Sequence, residues 1–278
     1  MKIYRVKRGI VIESEESFFF IATQDWDSFI NDDQLASNLE KSIALQAPIT
    51  DGKEIIANEL LAPIQNQEVW ASGVTYINSK LGRQEEASNA GGGDFYARVY
   101  EAVRPELFFK ATAHRTVASG GKVRIRKDST WDVPEPELTL VITSSGKIVG
   151  YTIGNDMSSR SIEGENPLYL PQAKTYDACA GLGPCILVTE DELPGSTKIA
   201  MDISRNDQVV FSGATTLGKM KRDPEELVSF LYRECSFPYG SLLMTGTGIV
   251  PTPEFTLNSG DRIDISIESI GTLINIVE

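Results

Sequence analysis

Three short, β-rich apolar runs open the chain: Ile3 to Val6, Gly9 to Ile12 and Phe18 to Ile21. Lys-Arg-Gly and Glu-Ser-Glu-Glu separate them, a strand-and-turn pattern. The apolar spacing then lengthens. Phe29, Ile30, Leu35, Leu39 and Ile43 fall on one face of a helix, which predicts a helical segment from Asp27 to Ile43. Pro48 and Asp51-Gly52 close it, and Leu60 to Ile64 and Val69-Trp70 read as strands. From Tyr76 to Val103 the pattern is helical but interrupted at Asn89-Ala90-Gly91-Gly92-Gly93. Consecutive glycines lose much backbone entropy on ordering, so this stretch suits a hinge or a mobile cover. Asp94 is a candidate cap for the next helix, where Phe95, Val99 and Val103 recur every four residues.

After Arg104 the pattern turns to strands. They are Leu107 to Lys110, Lys122 to Arg126, Leu138 to Ile142, Ile148 to Ile153, Cys185 to Val188, Thr197 to Ser204, Val209 to Phe211, Leu242 to Thr245, Ile263 to Ile267 and Thr272 to Val277. Asn206-Asp207 marks a hairpin. Asp223-Pro224-Glu225-Glu226 opens a helix that runs through Cys235, with Asp223 as its cap. Many strands with few helices between them predict an α+β fold. Its body is an antiparallel or mixed sandwich or roll, preceded by a small α/β unit over residues 1–70. The larger body would then span 71–278. No internal repeat or low-complexity tail interrupts this organisation.

Charge narrows the choice of partner. The 278 residues carry 26 Lys and Arg against 39 Asp and Glu, a formal net charge of −13. Nucleic-acid binding needs clustered cations, and an anionic membrane surface repels such a chain. No apolar run approaches the roughly 18 residues that span a bilayer. The N-terminus lacks the apolar stretch of a secretory signal. Three cysteines without paired spacing point to a reducing compartment, most simply the cytoplasm. Cys179 and Cys185 make a poor zinc pattern, and Cys179 reads more simply as a small buried residue than as a nucleophile. The single histidine, His114, excludes multi-histidine metal sites and reads as a polar loop residue.

Candidate chemistry gathers in three segments. In Trp131-Asp132-Val133-Pro134-Glu135-Pro136-Glu137-Leu138, Glu135 and Glu137 lie two apart where a strand begins. Residues two apart on a strand share a face, so both carboxylates aim at one place. A bare Glu-x-Glu is ordinarily a pair of exposed acids. Here prolines fix the backbone and an apolar strand follows at once. Trp131 beside the pair is either packing or a wall of the site. In Gly154-Asn155-Asp156-Met157-Ser158-Ser159 a strand end meets a helix start, so Asp156 is either the helix cap or a ligand. Lys174 sits among apolar and turn residues. It is either solvated or turned toward the carboxylates. Three carboxylates without histidine favour a hard dication, Mg²⁺ first, then Mn²⁺ or Ca²⁺. Lys174 would balance the remaining charge. Open coordination positions would take the carboxylate and keto oxygens of a small 2-oxo acid.

In order, Glu-x-Glu-Leu, Gly-Tyr-Thr-x-Gly-Asn-Asp-x-Ser-Ser-Arg, Lys-x-x-Asp, Leu-Gly-Pro, Thr245-Gly246-Thr247 and Gly260-Asp261 resemble the fumarylacetoacetate hydrolase superfamily over about residues 60–278. The resemblance implies a mixed β-roll and a homodimer or homotetramer. It implies Mg²⁺ held by Glu135, Glu137 and Asp156, Lys174 beside them, and Thr247 near the substrate. The family's hydrolases carry Gly-x-x-Tyr-x-x-His-x-x-Glu. This chain has Gly73 and Tyr76, but Ser79 and Gly82 in place of the water-activating His and Glu. Three longer stretches resemble the subgroup that dehydrates sugar acids: Arg104 to Thr112, Pro134 to Leu138 and Glu165 to Lys174. That resemblance implies dehydration of a 2-keto-3-deoxy sugar acid such as 2-keto-3-deoxy-D-arabinonate, with Glu106 as an acid–base group. Lys174 would orient the substrate or donate a proton. The alternative expectations are an acylpyruvate-type C–C hydrolase and a non-catalytic binder of oxo acids.

Overall fold

The computed structural model describes residues 1–86 and 98–278. The expected interruption at Asn89 to Gly93, with Asp94 and Phe95, lies outside them. Fifteen strands among the described residues are β1 (Lys2–Val6), β2 (Gly9–Ser14), β3 (Ser17–Ile21), β4 (Glu68–Gly73), β5 (Glu106–Ala111), β6 (Thr116–Val117), β7 (Lys122–Val123), β8 (Asp132–Ile142), β9 (Ile148–Ser159), β10 (Ala180–Val188), β11 (Lys198–Arg205), β12 (Gln208–Thr216), β13 (Ser241–Met244), β14 (Arg262–Ile267) and β15 (Gly271–Val277). The described helices include α1 (Trp26–Ile30), α2 (Leu35–Ala44), α3 (Gly52–Glu59), α4 (Ile77–Glu86), α5 (Arg160–Glu165), α6 (Leu170–Lys174) and α7 (Pro224–Leu231).

The strands form two mixed sheets. The larger runs β3-β2-β1-β10-β9-β8-β13-β4-β5, with β6 beside β10. The smaller runs β12-β11-β14-β15-β7. Residue alternation along β8 explains how they stack. Leu138, Leu140 and Ile142 join Ile199, Met201, Ile263, Ile265 and Leu273 in one apolar core between the sheets. Val141, of opposite parity, joins Trp26, Ile30, Leu35 and Leu39 in a second core under α1 and α2. Glu135 and Glu137 share the parity of Val141.

Several elements differ from the pattern-based expectation, each for a local reason. The helix expected from Asp27 to Ile43 is two helices. Between them, Asn31 Oδ1 accepts from the Ser144 amide at 2.7 Å. Asp33 Oδ1 accepts from the hydroxyls of Thr143 and Ser145 at 2.5 and 2.8 Å. Long-range bonds to the β8–β9 turn thus override continuous periodicity. Asp51-Gly52 begins α3 rather than ending structure. Leu60 makes one bridge to Val6, and no strand covers 60–64. The last helix stops at Leu231, short of Cys235. β9 continues through Ser159, whose hydroxyl caps α5, so Asp156 is not the cap. The Asn206-Asp207 hairpin joins β11 to β12, with φ of 50° and 61° at its two residues. β1 pairs with β10, so the N-terminal strands extend the larger sheet.

Candidate active site

β8 and β9 form an antiparallel pair in which Glu135 lies directly opposite Asp156 and Glu137 opposite Gly154. Opposed residues share a face, so register alone gathers the three acids. One carboxylate oxygen from each lies within 4.8 Å of the others. Glu135 is 5% exposed, Glu137 1% and Asp156 0%. Uncompensated, three acids this close and this buried would hold protons rather than charge.

Compensation comes from three cations that are also buried. Lys174, the last residue of α6, reaches Glu135 Oε2 at 2.7 Å, Asp156 Oδ2 at 3.0 Å and the Ser158 hydroxyl at 2.6 Å. Pro171 sits in the first turn of that helix, and its brevity sets Lys174 at the cluster. Lys110, on β5, lies 2.6 Å from Asp156 Oδ1. Its ammonium also donates to the carbonyls of Met157, at 2.8 Å, and Lys174. Arg160, first residue of α5, reaches Glu135 Oε1 at 2.8 Å. A fourth acid, Glu163, lies 3.8 Å from both Arg160 Nε and Lys174 Nζ. Glu137 accepts from the Gly246 amide at 2.6 Å, in a turn with φ of 92° at Gly246.

Counted with every group ionised, four acids and three cations leave this cluster one negative charge. Its protonation follows from the same contacts. Burial, then the charges of Asp156 and Glu135, push the Glu137 carboxyl well above the usual carboxylate range. Burial pushes Asp156 the same way, but the Lys110 and Lys174 ammoniums overcome it and hold Asp156 below that range.

A narrow cavity opens onto the cluster, lined by Ser72, Gly73, Val74, Ser79, Phe108 and Thr247 besides the charged groups. Thr247 is on the wall, its hydroxyl tied to the Ile249 backbone. Glu106 lies opposite Gly73 in the β4–β5 ladder, on the strand face that carries Phe108. A methyl at Gly73 would meet Glu106 Oε2 at 2.0 Å, so glycine there makes room for that carboxylate. Ser79 lines the cavity, its hydroxyl donating to the Tyr76 carbonyl at 2.8 Å. His114 stands on an exposed turn, against the Thr112 hydroxyl at 2.8 Å. Cys179 is buried.

Thus the structure brings Glu135, Glu137, Asp156 and Lys174 together, places Thr247 on the cavity wall and sets Glu106 against Gly73 of that wall. Lys110, Arg160 and Glu163 escaped the sequence reading. Only Lys110 left a signal, as a lone cation between Phe109 and Ala111 in an apolar strand. The donor set fits a hard dication: three buried carboxylates with neither imidazole nor thiolate among them. A dication would turn the cluster's single negative charge into a single positive one, complementary to a monocarboxylate.

Residues 75–278 match the family described as fumarylacetoacetate (FAA) hydrolase, C-terminal. The chain is 48% identical over 239 residues to a probable 2-keto-3-deoxyxylonate dehydratase of Haloferax volcanii, covering 84% of this chain and 81% of that one. It is 46% identical over 219 residues to the 2-dehydro-3-deoxy-D-arabinonate dehydratase of Saccharolobus solfataricus, covering 78% and 73%. Its fold is similar to that of a 2-keto-3-deoxy-D-arabinonate dehydratase solved with magnesium and 2,5-dioxopentanoate. The TM-score is 0.85 with 36% identity, covering 100% of this chain and 99% of that one.

Proposed function

This chain belongs to the fumarylacetoacetate hydrolase family, and we propose that within it the chain is a Mg²⁺-dependent dehydratase. Its substrate is a 2-keto-3-deoxy sugar acid such as 2-keto-3-deoxy-D-arabinonate, and its product 2,5-dioxopentanoate. The names of the two relatives converge on this chemistry. A carbonyl at C2 and a methylene at C3 leave C4 as the sole stereocentre. Arabinonate- and xylonate-derived keto acids of the same C4 hand are therefore one compound.

The observation that carries the reading is the buried set of Glu135, Glu137 and Asp156 with Lys174 bonded to two of them. Bound there, Mg²⁺ supplies Lewis-acid polarisation of a 2-oxo acid, which acidifies the adjacent C3–H. Glu106, set against Gly73 of the cavity wall, is the proposed acid–base group. It exchanges a proton at C3 or protonates the departing C4 hydroxyl. Lys174 orients the substrate's oxygens or donates a proton, and Ser158 fixes its ammonium. Thr247 and Phe108 narrow the cavity and limit competing water. C3 loses a proton and C4 loses its hydroxyl as water. The resulting enone reaches the 2,5-dioxo acid by proton shifts alone, so no redox partner is required.

Ser79 speaks against C–C hydrolysis by this chain. It stands at the cavity with its hydroxyl tied to backbone, and a serine there is no base for attacking water. The proposal extends to a homo-oligomer. β12 lies at the edge of the smaller sheet and leaves Val209 63% and Val210 42% exposed. It extends also to a cytoplasmic setting, supported by three free cysteines. No described helix is long and apolar enough to cross a membrane. Residues 1–70 serve as a supporting lobe, since none of them lines the cavity. The test is incubation with Mg²⁺ and a panel of 2-keto-3-deoxy sugar acids and acylpyruvates, read by mass. Loss of one water supports the dehydratase. Gain of water with cleavage supports a hydrolase, and unchanged mass a binder.

A further inference from the structure

Val74 holds a left-handed backbone, with φ of 54°. A β-branched side chain crowds its own backbone there, and such residues persist only where the surroundings over-determine them. Val74 is 4% exposed and lines the catalytic cavity next to Gly73. Val99 and Tyr100 pack over it.

Two adjacent cations hold that cover in place. Lys221 Nζ donates to the Tyr100 carbonyl at 2.6 Å, meets Glu101 at 2.8 Å and stands 4.3 Å from the centre of the Tyr100 ring. Its backbone amide donates to the Thr75 carbonyl at 2.9 Å. Arg222 donates to the carbonyls of Val99 and Val103, each at 3.2 Å, and of Ala102. These are carbonyls at the end of a helical turn, which otherwise need solvent or a cap. Arg222 also meets Glu226 at 3.1 Å, and Asp223 caps α7. The pair is therefore fixed to a helix and grips both the residue after Val74 and the residues above its side chain.

We propose that Lys221 and Arg222 are positioning residues that impose the left-handed turn at Val74 and so fix the Ser72–Val74 wall of the catalytic cavity. Neither cation lines that cavity. The wall matters because Gly73 faces Glu106, and because the Thr75 hydroxyl donates to the Thr245 carbonyl at 2.7 Å, beside the Gly246 amide that binds Glu137. Relaxation at Val74 would carry both neighbours with it. The inference rests on the dehydratase reading for the choice of turnover assay.

The experiment compares full-length wild type, Lys221→Met, Arg222→Gln, Val74→Gly and the double variant Arg222→Gln/Val74→Gly. It reads kcat and KM with 2-keto-3-deoxy-D-arabinonate, Mg²⁺ affinity by calorimetry, and amide exchange of residues 72–79 by mass spectrometry. Arg222→Gln is expected to lower kcat/KM roughly 10- to 100-fold, the effect of a misplaced wall. Lys221→Met is expected to lower it less. Mg²⁺ affinity should stay within about twofold in both, while residues 72–79 exchange faster. Glycine needs no outside force at this φ, so Val74→Gly should restore most of the activity and protection that Arg222→Gln loses. If Arg222→Gln does not fold, Lys221→Met paired with Val74→Gly takes its place. Losses that multiply in the double variant would overturn the proposal. So would Mg²⁺ affinity falling in step with turnover. If wild type dehydrates none of the substrate, the dehydratase reading fails, and the exchange rescue alone decides the role of the pair.

Discussion

The ammonium of Lys110 lies 2.6 Å from Oδ1 of Asp156, and both side chains are buried. Lys174 holds the other oxygen of the same carboxylate at 3.0 Å. One aspartate is thus shared by two buried lysines, and both pairs depend on it. Breaking a buried pair by removing one partner costs about 3–5 kcal/mol, because the other charge is left behind. Lys110→Met should lose stability of that size. The cluster also becomes more negative, so added Mg²⁺ should raise the melting temperature of Lys110→Met by more than that of wild type. Melting curves with and without Mg²⁺ check this, and equal shifts would contradict it.

Glu106 and Gly73 make a second pair whose roles can be separated. Glu106→Gln keeps the shape of the side chain and removes its proton chemistry. Turnover should fall by about 10²- to 10⁴-fold, the usual worth of a general acid or base, with Mg²⁺ affinity nearly unchanged. Gly73→Ala places a methyl where Glu106 Oε2 now lies, 2.0 Å from the methyl position. The end of a flexible side chain can move aside, so the fold should tolerate alanine while turnover drops about tenfold or more. Steady-state kinetics beside melting curves distinguish the two effects. A Gly73→Ala protein with full activity would remove Glu106 from the mechanism.

Asp132, three residues before Glu135, gives a pH signature. Burial is the main cause that pushes its carboxyl up to about 6, and Asp128 adds to it. The Ser129 hydroxyl, the Arg126 amide and the Arg126 charge oppose the shift. An unfolded aspartate titrates near 3.9. The folded chain therefore keeps a proton that the unfolded chain releases between about 4 and 6. Asp132 contributes most to stability below about pH 4, and its contribution is lost as pH rises through 6. Asp132→Asn should raise the melting temperature by about 3 °C at pH 8 and leave it unchanged near pH 4. A gap of the same size at both pH values would contradict this origin.

How far the site could be read in the chain depended on the range of each interaction. Glu135 and Glu137 were legible because strand alternation is local and the prolines bracket them. Asp156 was legible only as one of two alternatives, since its pairing with Glu135 is a matter of register between strands. Lys110 reads as part of an apolar strand, because nothing near it in sequence reveals the carboxylate that receives it from β9. The break between α1 and α2 was hidden for the same reason. Asn31 and Asp33 act on residues 143–145, more than a hundred positions away. The β11–β12 hairpin, by contrast, needed only Asn206-Asp207 and the runs beside it.

Glu137 tests the shared dication most cleanly, because it accepts from the Gly246 amide at 2.6 Å, whereas Glu135 and Asp156 hold lysines. Mg²⁺ affinity and dehydration of 2-keto-3-deoxy-D-arabinonate should be measured together on wild type and Glu137→Gln. Chelator-treated wild type should be inactive and recover on addition of Mg²⁺. In Glu137→Gln, Mg²⁺ affinity should fall by more than the roughly 10- to 100-fold that outer partners of a metal site cost, and turnover should fall with it. Turnover that survives complete chelation, or a Glu137→Gln protein that binds Mg²⁺ as wild type does, would contradict a dication shared by Glu135, Glu137 and Asp156.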